Sequence, residues 1–244
     1  MNYIALALAP GIAICLYVFY KDIYNKEPVM NLLMSFLFGC LAIIPALFIE
    51  SAFTDYAIDG SVGGVAVFSY IVVAGSEEGS KFLGLRFYSF RQKSFDEPLD
   101  GIVYSVMVSM GFATLENIFY VLKFAQAGRG LEVGLTRMFL SVPAHATFGV
   151  LMGYFAGKAR FDKQRSALIL FTGFLLAVFF HGTFDFFLFI NQYSFVGREL
   201  SEGLLGAGAI ASFIVSLVLS RKMFRWHRSL SQQVFNEKNK SISA

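Results

Sequence analysis

Eight residues that can carry charge or direct hydrogen bonds stand inside long apolar runs. Glu77, Glu78 and Lys81 share one run, Glu116 and Asn117 the next, His145 a third, and His181 and Asp185 a fourth. An ionisable group in such surroundings is expensive to bury, so its presence points to function. Spacing relates the members. His181 and Asp185 are four apart, so on a helix they share a face: the carboxylate can orient the imidazole, or both can address one ligand. Glu77 and Lys81 are also four apart, with the acid N-terminal, the better order for an ion pair. Glu77 and Glu78 diverge by about 100° on a helix. One is therefore expected to face a cavity while Lys81 or a neighbouring helix neutralises the other.

Buried imidazoles and carboxylates reached by water suit hydrolysis. A Glu can take a proton from water and a His can share or relay it. A second His or Asn117 can stabilise the oxyanion that develops on a peptide carbonyl. Alternatively His145 and His181, with Glu78, Glu116 or Asp185, could hold Zn²⁺, which needs three protein ligands and a water. The chain has no HExxH, so that reading rests on ligand types alone. It has no Gly-rich phosphate loop, and no serine stands out as a partner for either His. A third chemistry is proton or ion relay in a transporter.

The elements that position these groups follow from composition. The chain has 244 residues, 56% hydrophobic and 15% charged, with mean hydropathy +0.61. An ordinary soluble domain carries about 25% charge. These values exclude a soluble, disordered, collagen-like or disulfide-framed protein, and unbroken apolar runs exclude a β-barrel. The expectation is an all-α polytopic transmembrane bundle of about seven spans, near 2–20, 29–50, 63–86, 101–124, 136–157, 167–190 and 204–220. Residues 1–220 form one membrane-embedded domain with its core at 63–190, and 221–244 a basic cytosolic tail. The first run has no basic leader and carries Pro10, Tyr17, Phe19 and Tyr20, so it reads as a retained span rather than a signal peptide. Asp100 reads as the N-cap of span four, and Pro10, Pro45 and Pro143 fall within spans. Cys15 and Cys40 lie in apolar runs and read as buried thiols.

Lys and Arg are distributed unevenly. Fifteen fall in one set of alternate loops and the tail, and four, Lys123, Arg129, Arg137 and Arg198, in the other. The positive-inside rule puts the N-terminus outside and the C-terminus in the cytoplasm of a multi-pass cell-membrane protein. At about 1.5 Å per residue, Glu116, His145 and His181 lie roughly 12–14 Å below the outer ends of their spans. Asp185 lies higher, and Glu77 and Glu78 near the midplane. Four consecutive helices thus place acids and imidazoles in one slab. Gly149, Gly153 and Gly157 form a doubled GxxxG in line with His145, which should hold it against a neighbour. Trp226 and His227 sit in the tail, near the interface, where the basic residues anchor the chain or meet anionic lipid. Nothing points to nucleic acid.

The motifs carry a resemblance. Glu77-Glu78-Gly-Ser-Lys81 reads as EExxK and Phe112-Ala-Thr-Leu-Glu116-Asn117 as FxxxEN. Pro143-Ala-His145 and His181-Gly-Thr-Phe-Asp185 follow, with Lys21-Asp22-x-Tyr24-x-x-Glu27-Pro28 and Asp100-Gly101-Ile-Val-Tyr104 elsewhere. From about residue 8 to 190 the chain resembles the PrsW family of bacterial intramembrane proteases, itself similar to the CAAX-processing and bacteriocin-immunity membrane proteases with their EExxxR, FxxxH and HxxxN or HxxxD motifs. The resemblance implies a glutamic-type endopeptidase with Glu77 as the base and Glu78 its neighbour. His145 and His181 would hold or relay the water, and Asp185 would orient His181. Glu116 stands where those relatives have a His, which leaves room for Zn²⁺. The family's namesake makes the first cut in an anti-sigma factor at the start of a stress response. By analogy the partner is a single-span membrane protein, cut near the outer interface. A transporter should show inverted repeats, which the chain lacks. A CAAX-type prenyl endopeptidase should keep EExxxR and FxxxH, and this chain has neither.

Overall fold

The computed structural model describes residues 2–57, 59–194 and 202–242. Arg198, counted among the loop cations above, lies outside them. Among the described residues nine α-helices run α1 Tyr3–Lys21, α2 Val29–Ala57, α3 Val62–Val67, α4 Ala74–Phe87, α5 Pro98–Gln126, α6 Gly130–Phe139, α7 Ser141–Phe161, α8 Ser166–Tyr193 and α9 Glu202–Ile242. No strand occurs among the described residues. Among the described residues six stretches are long and apolar enough to cross a membrane: Tyr3–Lys21, Val29–Asp55, Pro98–Gln126, Gly130–Phe161, Ser166–Tyr193 and Gly203–Lys240. The stretch 63–86, expected as a span, is not among these six; it is built from α3, a π-helical turn at Phe68–Val73, and α4. It is less apolar than the others because it carries Glu77, Glu78, Lys81 and Arg86. The chain is a polytopic helical membrane bundle.

The central helix is α5, which packs most extensively on α7 and α2 and is buried almost continuously from Leu99 to Thr114. Small residues allow these close crossings. A Cβ on Gly39 of α2 would strike the Val108 backbone, and one on Gly111 of α5 would strike the Phe36 carbonyl. The stripe Gly149, Gly153 and Gly157 lies against Ser109, Gly101 and Pro98 of α5. The GxxxG pattern therefore does what its spacing implied, and it fixes the height of α7, and so of His145, on α5.

Three local features differ from expectation. Asp100 is not the N-cap of α5. Glu97 is, Pro98 opens the helix, and Asp100 reaches back to accept the backbone N–H groups of Asp96 (2.9 Å) and Glu97 (2.7 Å). Acid at the third helical position satisfies otherwise orphaned donors as well as a cap does. The fifth span breaks at Leu140 into α6 and α7, so Pro143 falls in the first turn of α7, where a missing N–H costs nothing. Finally, α9 continues through residue 221 without a break and packs its polar part on the bundle. His227 is fully buried and stacks on Tyr154 with ring centres 4.2 Å apart.

Candidate active site

The π turn at Phe68–Val73 precedes the EExxK segment directly. An extra residue in one turn rotates everything after it, and such insertions concentrate at functional sites. Tyr70, inside the turn, hydrogen-bonds Thr183 of α8 at 2.8 Å and packs against Gly182, the residue after His181. One local irregularity thus registers α4 against α8.

The structure brings together residues from four helices. Lys81 donates to Glu77 Oε2 (3.1 Å), to Glu78 Oε1 (2.8 Å) and to His145 Nδ1 (3.1 Å). Its ammonium has three hydrogens and all three are used. The Phe112 ring lies 4.0 Å from it. The expectation that Lys81 neutralises only one member of the acidic pair is corrected: its reach spans both. His181 Nδ1 lies 2.9 Å from Glu78 Oε1 and its Nε2 3.2 Å from Asp185 Oδ2. Both ring nitrogens face carboxylates, so both donate. His145 Nε2 lies 3.1 Å from Glu116 Oε2. Since Nδ1 of His145 accepts from Lys81, Nε2 carries the hydrogen and donates to Glu116. The two imidazoles meet edge to face at 5.0 Å, with Phe148 stacked on His181 at 4.9 Å.

Sequence reasoning missed the cation behind Glu116. Arg137 was counted as a loop charge. Instead α6 turns it inward, where it is buried and donates to Glu116 Oε2 (2.6 Å) and to Asn117 Oδ1 (3.0 Å) over the Tyr120 ring. The signal was available in an arginine that opens the apolar run carrying His145. Asn117 also donates to the Ala7 carbonyl at 2.9 Å. Its carbonyl end and one amide hydrogen are committed, so it ties α1, α5 and α6 together. Glu50 of α2 also escaped notice, and it lies close enough to interact electrostatically with Glu77, Glu116 and Asp185.

Glu77, Glu78, His145 and His181 place ligand atoms within 4.8 Å of one another, a donor set of suitable type for Zn²⁺. Glu116 and Asp185, expected among the ligands, instead stand behind His145 and His181. The arrangement does not fit a metal as it stands. Lys81 already takes Glu77 Oε2, Glu78 Oε1 and His145 Nδ1, and the other nitrogen of His145 is committed to Glu116. The Lys81 ammonium thus stands against three of the four residues of the set. What remains uncommitted is Glu77 Oε1, on the more exposed acid of the pair, and Glu78 Oε2, which is buried without a hydrogen-bond partner.

A family model described as "PrsW family intramembrane metalloprotease" matches residues 27–219. Protease PrsW of Geobacillus kaustophilus is 40% identical over 189 residues, covering 78% of this chain and 80% of that protein. Protease PrsW of Bacillus subtilis is 38% identical over 76% of this chain and 82% of its own length. That of Clostridioides difficile is 34% identical over 76% and 79%. No solved structure matches. With the match spanning most of the bundle and every helix of the site, the chain belongs to the PrsW family of intramembrane proteases.

Proposed function

We propose that the chain is a glutamic-type intramembrane endopeptidase in which Glu77 activates water. The observation that carries this reading is the hydrogen-bonded chain from Asp185 through His181, Glu78 and Lys81 to His145, Glu116 and Arg137. It leaves one oxygen of Glu77 free beside charged donors. Glu77 takes a proton from water as the water oxygen bonds to the scissile carbonyl carbon. The Lys81 ammonium and His181, whose hydrogens are committed to Glu77, Glu78, His145 and Asp185, oppose by their electrostatic field the charge that develops on the carbonyl oxygen. The proton on Glu77 then passes to the amide nitrogen as the C–N bond breaks, leaving an acid and an amine. The family description names a metal; no step here runs through one, because Lys81 holds the ligand atoms a metal would need.

The substrate is a single-span membrane protein, with an anti-sigma factor the first to try on the strength of the family resemblance. The fifteen-to-four bias of Lys and Arg supports an outer N-terminus and a cytoplasmic C-terminus. In that orientation the site lies toward the outer leaflet. The scissile bond must be extended, since a helix hides its carbonyls in internal hydrogen bonds. Cleavage falls at or just outside the outer end of the substrate's span.

Mass spectrometry of products from purified protease and a single-span substrate tests the site of the cut, and fragments ending in the cytosolic half of the span would overturn it. Metal analysis with and without a strong chelator tests the catalytic type. Activity surviving in metal-free protein is expected, and loss restored by stoichiometric Zn²⁺ would overturn it. Cysteine probes at residues 55 and 130 should label from outside, and at 93 and 162 only after permeabilisation.

A further inference from the structure

A cavity of about 540 Å³ lies between α1, α7 and α9, with Val106 of α5 in its lining. Its α7 lining is Pro143, Ala146, Thr147 and Val150. At 100° per residue these point about 100–200° away from His145, so the cavity is on the far side of α7 from the candidate active site. Its long wall is apolar: Ile14 and Val18 of α1, Val150 of α7, and Leu217 and Phe224 of α9. One end is different. Lys21, in the last turn of α1, and Arg221, Arg225 and Arg228 of α9 gather there, and no carboxylate lines the cavity.

The placement of these four cations is specific. Arg221, Arg225 and Arg228 follow a spacing of four and three, so they share a face of α9. They begin where the apolar stretch of α9 ends, as Lys21 stands where the apolar stretch of α1 ends. Both positions are headgroup level for a helix leaving a bilayer. None of the four pairs with a carboxylate within 4.0 Å among the described residues, whereas Arg160 nearby has its guanidinium fully engaged by the carbonyls of Phe90, Gln92 and Phe95. A groove with an apolar wall and unneutralised guanidiniums at its headgroup end has the polarity of a phospholipid, and the charge selects an anionic one.

We propose that the α1–α7–α9 groove binds an anionic phospholipid. The acyl chain lies along Ile14, Val18, Val150 and Leu217, and the phosphate sits among Lys21, Arg221, Arg225 and Arg228. The bound lipid staples α9 to α1 and α7, and so braces the helix that carries His145. The proposal stands on the groove alone and does not depend on the chain's being a protease.

The test is native mass spectrometry of the full chain, titrated with phosphatidylglycerol or phosphatidylcholine. The expected result is one tightly held phosphatidylglycerol, preferred over phosphatidylcholine. In R221Q/R225Q/R228Q its affinity should fall on the order of a hundredfold, the effect of three lost basic groups. Val150→Trp, which fills the apolar wall and keeps every charge, should also release it. Glycerol phosphate without acyl chains should fail to compete. Four results would overturn the proposal: equal binding of the two lipids, an undiminished preference in the triple variant, full competition by glycerol phosphate, or displacement by a neutral single-span helix that is indifferent to the three arginines.

Discussion

Two carboxylate clusters sit on the same helix. Glu116 belongs to one and Asp100 to the other, about 24 Å apart along α5. Around Glu116 four acids have a cationic or imidazole partner: Glu77 and Glu78 share Lys81, Asp185 faces His181, and Glu116 itself takes Arg137 and His145. Around Asp100 the buried acids are Asp22, Glu27 and Glu97, and the ion pairs within 4.0 Å among the described residues include none of these four acids. They hold backbone and hydroxyl groups instead. Asp22 accepts the Glu27 N–H (3.1 Å), Asp100 the N–H groups of Asp96 and Glu97, and Glu27 the Tyr104 hydroxyl. Oxygens of all four remain unpartnered. The first cluster sets a cationic or imidazole group against each of these carboxylates, an arrangement suited to acid–base work on water. In the second, burial pushes Asp22 and Glu27 above their usual range and Glu97 up to about 7. Acid density alone therefore does not locate chemistry; the counter-charges do.

The largest effect expected from breaking this contrast is at Glu78. Glu78→Gln removes the partner of both Lys81 and His181, and cleavage should fall by three orders of magnitude or more, on the scale of a lost acid–base group. Lys81→Met comes next. It leaves two buried acids without their cation, which costs about 3–5 kcal/mol, read as a fall in melting temperature. Arg137→Gln should lower activity about tenfold to a hundredfold by releasing Glu116 from one side, as supporting-residue losses do, and Arg137→Lys should recover part of it. Activity unchanged in Arg137→Gln would return that residue to the surface role its sequence position implied.

The second cluster sharpens the comparison through pH. Glu97 titrates near 7 when folded because of burial, with the nearby Asp22 and Asp96 adding and Ser231 and Lys238 opposing. Between its ordinary value of 4.5 and about 7 the folded chain holds a proton that the unfolded chain releases. Its contribution to stability is therefore full below about 4.5 and is lost as pH rises through about 7. Asp22 and Glu27 act in the same direction. The melting temperature of wild type minus that of Glu97→Gln should fall from pH 5 to pH 8; a flat difference would contradict this. The smallest effect is expected at the exposed pair of Lys238 and Asp96, where Asp96→Asn should change stability by less than about 1 kcal/mol.

Much of the bundle was legible because lipid imposes length and polarity on every helix. The break at Leu140, the π turn and the continuation of α9 were not legible, since each is settled by tertiary packing that periodicity does not record. At the candidate site, residue type and depth brought Glu77, Glu78, His145, His181, Glu116 and Asp185 into one neighbourhood. Their pairing was harder. That Lys81 reaches three partners depends on rotamers and on the height at which the Gly149–Gly157 stripe seats α7. Arg137 was hidden because a cation at the end of an apolar run is most often solvated.

The central claim is that the paired cluster, and Glu77 within it, performs peptide hydrolysis. Its most direct test is the cleavage rate of a single-span substrate by wild type and Glu77→Gln in proteoliposomes, with matched melting temperatures showing that both are folded. The account predicts that Glu77→Gln retains less than about a hundredth of the wild-type rate. A folded Glu77→Gln that cuts at the wild-type rate would contradict it.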